Sequence, residues 1–398
     1  MKRMILGAGV VMVIVAGSVA GQTAELTIWE LPVRNTNLFD LCGDEEGHVF
    51  VALPGSRSVA VVDPASDSVC VLPVGESPVS LAWTSEGLFF TFYGGVGFLD
   101  PHTGETAAWP VPRPVGRVRS LVNSEVSTAL VTLWFVQESP DKLGRFEAST
   151  IAPTAPAGDA GESPEIELQA VHAEVSATVD VVVPRVHALD SPILFRTVGA
   201  YHGEFTRWTP FVRTRGVDRI ATGPMARMWF SQNGDSVFLF ESYSDSFFRY
   251  SLPEGTVAGS VTASSLGTVW FIDTSLSAVC QLDPEANEVA VWPLPGDDEP
   301  YDLAAGAFGV WISDRTGGAL YHLDPATGEF RRWEIGPDTE PSALWIDAEG
   351  VVWFIEEASR AIGRLTVDAL IAREEEARPA ASPSWPAKRP VEEPGGGR

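Results

Sequence analysis

Apolar residues along this chain come in short runs, and turn-forming clusters separate the runs. VVWFIE (351–356), TVWFID (268–273) and GVWISD (309–314) are built from β-branched and aromatic residues bounded by Gly, Asp or Ser. Runs of this kind read as strands. A second pattern, LDPHTGE (99–105), LDPEANE (282–288), LDPATGE (323–329) and VDPASDS (62–68), carries hairpin chemistry. Pro presets φ, Asp bonds the backbone ahead and Gly accepts a positive φ. No helical period is sustained before 367. The prediction is an all-β chain.

The runs repeat. A Trp-Phe or Trp-Ile pair recurs at 134–135, 229–230, 270–271, 311–312 and 353–354, and TIWELP (27–32), AAWPVP (107–112), AVWPLPG (290–296) and RRWEIG (331–336) mark a second register. The period is about 41 residues, with four short strands in each unit, which predicts a β-propeller. A four-stranded sheet cannot bury both faces alone, so neighbouring blades must stack on it, with Trp and Phe filling the gaps. Units fall at 36–77, 78–113, 114–173, 174–214, 215–255, 256–298, 299–339 and 340–370. Seven blades follow if 114–214 makes one blade with an excursion, and eight if it makes two. The stretch TIAPTAPAGDAGESPE (150–165) reads as a loop insertion. The last unit lacks a fourth strand and LTIWELP (26–32) is a spare one, so the N-terminal strand is expected to complete the last blade and remove an open edge.

The ends differ from this body. Lys2 and Arg3, the apolar stretch 5–17 and Ser18-Val19-Ala20 form a cleavable signal peptide over 1–20, with a mature start at Gly21 and a secreted or periplasmic location. The propeller is expected over 21–370 and a Pro- and Gly-rich disordered tail over 371–398. Formal net charge is −26, from 27 Lys and Arg against 53 Asp and Glu. Such a surface repels phosphate backbones and argues against nucleic-acid binding. Nothing after the leader is long and apolar enough to span a membrane. The three cysteines, Cys42, Cys70 and Cys280, allow at most one bridge and do not say which.

Aligning units on the Trp-Phe pair superposes one polar position at the end of the second strand: Gln137, Gln232, Asp273, Asp314 and Glu356. Together these predict a polar ring at one end of the axis. Asp314 and Glu356 are candidate ligands for a divalent cation, or candidate acids and bases. Water-facing strand ends also favour polar residues without any such role. The six histidines show no local metal-ligand spacing, and the chain has neither a nucleophile elbow nor a phosphate loop.

The units EPYDLAAGAFGVWISDRTGGALYHLDPATGEFRRWEI (299–335) and EPSALWIDAEGVVWFIEEASRAIGRL (340–365) resemble the repeats of the virginiamycin B lyases, or streptogramin lyases. The resemblance implies a seven-bladed propeller that opens a cyclic depsipeptide by elimination, using magnesium, a histidine base and glutamates near the axis. On its motif, Glu340 and Glu356 stand at catalytic positions. The histidine position holds Ser342, and the preceding unit offers Tyr301 instead. A hydroxyl cannot replace imidazole as a base near neutral pH. The function expected is therefore an exported, non-catalytic propeller that binds a small ligand or an envelope protein at its axial mouth. The alternative is a metal-dependent enzyme, a C–O lyase or a lactonase, using Asp273, Asp314, Glu340 and Glu356. That would require a histidine such as His48 or His187 to reach Glu356.

Overall fold

The structure is a computed structural model. It describes residues 24–367 apart from 35, 114, 125–129, 140–141, 150–178, 183–201, 209–216, 218, 232–233, 265–266, 297 and 307–308, together with the strand segments Ile5–Gly7 and Val11–Ile14. The insertion over 150–165 and the tail after 370 lie outside the described residues.

Seven antiparallel sheets of four blade strands each form the ring. Blade one runs from Leu41–Gly43 to Ser68–Pro73, and blade two from Leu81–Thr84 to Thr106–Pro110. Blade three holds Arg117–Asn123, Val131–Glu138, Lys142–Ser149 and, after the long excursion, His202–Trp208. The stretch 114–214 is thus one blade, which decides the count at seven. Blades four, five and six begin at Ile220–Gly223, Ala258–Ala263 and Pro300–Ala305. Blade seven takes Pro341–Ile346, Val352–Glu356 and Ala361–Val367 from the end of the chain and Ala24–Glu30 from its beginning, in a ladder pairing Ala24 with Val367 and Glu30 with Ala361. The ring is closed as strand counting predicted. Ile5–Gly7, Val179–Val182 and Val11–Ile14 lie as fifth strands on blades one, four and seven. Among the described residues no helix is long and apolar enough to cross a membrane.

The core is not one body but seven apolar clusters, each shared by two adjacent blades. Trp29, Trp353 and Ile355 of blade seven pack on Val49, Val51 and Val62 of blade one. Trp134 and Trp208 of blade three stack on each other and pack at a tilt against Phe240 of blade four. Full burial of one such side chain stabilises by about 1.5–3 kcal/mol. The interfaces therefore hold the blades, which is the role expected for Trp and Phe.

A cross-strand Phe–Gly pair recurs within blades: Phe90 opposite Gly97, Phe135 opposite Gly144 and Phe354 opposite Gly363. Each ring lies over its glycine. A Cβ on Gly363 would sit 2.0 Å from the Phe354 ring, and one on Gly144 2.1 Å from that of Phe135. Overpacking a close-packed core costs about 1–3 kcal/mol. Gly363→Ala should therefore destabilise by about 2 kcal/mol in urea unfolding with an unchanged m-value. A neutral result would show that Phe354 can swing away.

All three cysteines are free, with Cys42 and Cys280 buried and Cys70 half-buried. Burial, with Asp273 adding to it, pushes the Cys280 thiol up to about 12.

Candidate functional site

The ring has two ends. At one, called the mouth, the first strands begin and the second strands finish. At the other lie the Asp-Pro hairpins. Asp63 and Asp100 accept backbone N–H groups two and three residues ahead, and so act as turn formers.

The aligned second-strand residues all sit at the mouth. Gln137, Asp273 and Asp314 are fully buried, Glu356 is 2% exposed, and Gln232 lies outside the described residues. They do not converge on the axis. Each acid folds back to close its own hairpin. Asp273 Oδ1 accepts Ser275 N (2.9 Å) and Oγ (2.6 Å). Asp314 Oδ1 accepts Gly317 N (2.8 Å) and Thr316 Oγ1 (3.1 Å). Glu356 Oε1 accepts Glu340 N (2.7 Å) and Ala358 N (3.1 Å), while Oε2 accepts Ser359 N (2.6 Å) and Ser359 Oγ. The physical reason is local. A second strand ending in a tight turn leaves amides that a carboxylate on that strand can reach, and a carboxylate satisfies several at once. Gln137 accepts from Arg207 Nη1 at 3.1 Å.

Glu340 and Glu356 are neighbours through the Glu340 amide, but their carboxylates do different work. The Glu340 carboxylate is half-exposed and accepts Arg315 Nη2 at 3.1 Å. Arg315 also reaches Glu357 at 2.6 Å and lies over the Tyr301 ring, 5.2 Å from its centroid. Burial pulls the Arg315 pKa down, but Glu357, Glu340 and Tyr301 outweigh it and hold the guanidinium above its ordinary value. Ser342, buried at 2%, lies two residues further along the first strand of blade seven.

No described histidine bonds to Glu356. His102 lies within an Asp-Pro hairpin, and His322 packs edge-on to Trp311. His48 is at the far end, where its Nδ1 lies 2.8 Å from Asp44 Oδ2. Asp44, Glu46 and His48 do place three ligand atoms within 4.8 Å. Asp347 builds the same turn in blade seven, accepting Glu349 N and Val351 N on one oxygen and Trp353 Nε1 on the other. His48 replaces that indole, so the group closes a turn.

Residues nearer the axis went unnoticed in the sequence. On the first strands of blades three, five, six and seven a register shift kinks the ladder near the mouth. Inner-strand amides point around the ring and are accepted by side chains of the preceding blade. Asp40 Oδ2 accepts Leu81 N (2.9 Å), Ser80 Oγ accepts Leu121 N (2.9 Å), Ser120 Oγ accepts Ile220 N (2.7 Å) and Asp302 Oδ2 accepts Leu344 N (3.0 Å). Arg219, at the equivalent position of blade four, instead crosses the ring. Its Nη2 lies 3.0 Å from Asp302 Oδ2 of blade six and 3.8 Å from Asp40 Oδ1 of blade one. Burial pushes the Asp40 carboxyl above its ordinary 3.8 against the pull of Arg219. The legible signal was a polar residue before Leu, Ile or Val, at intervals of 40–42 except across the excursion: Asp40, Ser80, Ser120, Arg219, Ser260 and Asp302.

Fold and mouth together define a seven-bladed β-propeller whose hub is crossed by an ion-paired arginine. The fold is similar to that of virginiamycin B lyase from Staphylococcus aureus (TM-score 0.64, 15% identity, covering 86% of this chain and 99% of that one). It is similar also to a streptogramin B lyase (0.63, 15%, 87% and 98%) and to YCF48 bound to D1 peptide (0.59, 10%, 86% and 97%). No family model and no curated protein matches the sequence. At these identities the likeness is one of fold.

Proposed function

We propose that this chain is an exported, non-catalytic binding module that holds a partner at the mouth of its propeller. The observation that carries the reading is the state of Glu356: four donors fill its two oxygens, so it has no lone pair directed at a substrate or a metal. Glu340 is engaged by Arg315, a fixed cation where a magnesium site would need a free carboxylate. Ser342 supplies no base. These donors do not fit magnesium. The signal-like leader supports export, and the YCF48 structure with a peptide is a precedent for binding on this fold.

A metal-dependent enzyme is the second reading, favoured by one observation: Asp273 Oδ2 and Asp314 Oδ2 are buried without a hydrogen-bond partner. They belong to different blades, and each acid is tied into its own hairpin. Calorimetric titration of Mg²⁺ and Ca²⁺ into the wild type, Glu356→Gln and Asp314→Asn separates the readings. No saturable heat is expected in any of the three. A wild-type isotherm that disappears in either variant would overturn the non-catalytic reading.

A further inference from the structure

We propose that the sector of the mouth formed by blades one, two and three docks an acidic, apolar segment of a partner polypeptide. The inference rests on the binding reading above and gives it a location and a partner chemistry.

Its first support is where apolar surface is exposed. Of the eight large hydrophobic side chains exposed among the described residues, five lie at the mouth: Phe39, Tyr93, Val115, Leu276 and Tyr301. Phe39, Tyr93 and Val115 come from successive blades. Tyr93 bridges to Arg117 across the blade two–three junction, and a Cβ on Gly94 would meet Val115 at 2.9 Å. Tyr93, Val115 and Arg117 therefore form one continuous patch.

The second is charge. Arg57, Arg113 and Arg117 are exposed on this sector, and no carboxylate pairs with their guanidinium groups among the described residues. Arg34 and Arg360, at the blade-seven side of the mouth, are likewise exposed without a carboxylate partner among the described residues, whereas the half-buried Arg249 and Arg332 pair with Asp235 and Glu334. Unpaired cations grouped with apolar side chains are notable in a chain of net charge −26. The opposite end carries acidic hairpins, including Asp63, Asp67, Asp100, Glu105, Asp283 and Glu285. An acidic partner is repelled there and attracted here, which fixes its orientation.

The third is a departure from the repeat. Phe92, paired with Gly95, occupies the position where Asp273, Asp314 and Glu356 turn inward to close their hairpins, and Tyr93 follows it in a two-residue turn. In blade two that role is given up and the Tyr93 ring stands 67% exposed. Phe92 is buried in the blade one–two cluster, but the exposed Tyr93 brings no such stabilising gain, which marks it as a residue used for something else. Tyr and Arg are also the types that dominate interface hot spots.

The test is fluorescence anisotropy with a labelled synthetic peptide alternating Glu with Phe and Leu, beside its Lys-for-Glu counterpart. Wild-type protein should bind the acidic peptide roughly tenfold or more tightly than the basic one, with affinity falling as salt rises. Arg113→Glu with Arg117→Glu should weaken binding about tenfold or more, and Tyr93→Ala should weaken it at low and high salt alike. Equal binding of both peptides, or none of the acidic one, overturns the proposal. Binding lost with Arg315→Glu but kept in the Arg113, Arg117 and Tyr93 variants overturns this sector while leaving the binding module intact. Binding of an anionic polysaccharide that survives Tyr93→Ala would replace the polypeptide with a glycan.

Discussion

Arg219→Met should destabilise the ring by about 3 kcal/mol at neutral pH, the lower end of the cost of stranding one partner of a buried ion pair. The guanidinium ties blade four to Asp302 of blade six and Asp40 of blade one. Methionine keeps most of the stem volume but leaves two carboxylates facing each other without a cation. Partial solvent access moderates the loss, because the Arg219 side chain is 27% exposed. The pH dependence identifies the cause. Asp40 already titrates above its ordinary 3.8 because of burial, and Arg219 opposes that shift. Removing Arg219 raises the carboxyl further. A group whose pKa is raised on folding contributes stability that is full below the unfolded value and is lost as pH rises through the folded one. The deficit of Arg219→Met relative to wild type should therefore be smallest near about pH 4 and grow toward pH 7. Urea unfolding across that range measures it. A deficit that does not change with pH would assign the loss to packing.

Glu356→Ala is expected to cost about 3 kcal/mol, because hydrogen bonds to a charged acceptor contribute about 1.5–3 kcal/mol and leaving buried donors unmade costs about as much. The change strands the amides of Glu340, Ala358 and Ser359. The loss should appear as lowered stability and as faster hydrogen exchange at those amides. Unchanged exchange there would mean that the turn does not depend on this carboxylate.

Much of the architecture was readable from residues. The Asp-Pro hairpins, the Trp-Phe register and the spare strand at 26–32 each reflect local chemistry, and each appears where expected. Blade number was not readable, because a strand and its blade are separated by the excursion between Ser149 and His202, and only pairing with Lys142–Ser149 assigns the distant strand. The candidate site was half readable. Glu340, Glu356, Asp273 and Asp314 do lie at one end of the ring. A recurring acid at a strand end has the same signature whether it faces the axis or its own turn. Glu356 faces its turn, since Ala358 and Ser359 lie within its reach.

The sequence by itself determined the strands, their turns, the repeat and the ring closure, because those depend on propensity and period over a few residues at a time. Only the tertiary structure decided what the acids do and what lies in the hub. Arg219, Asp40 and Asp302 are far apart along the chain, and nothing local marks them as partners. Closing seven blades into a ring brings them within ion-pair distance, and burial there makes their charges depend on one another.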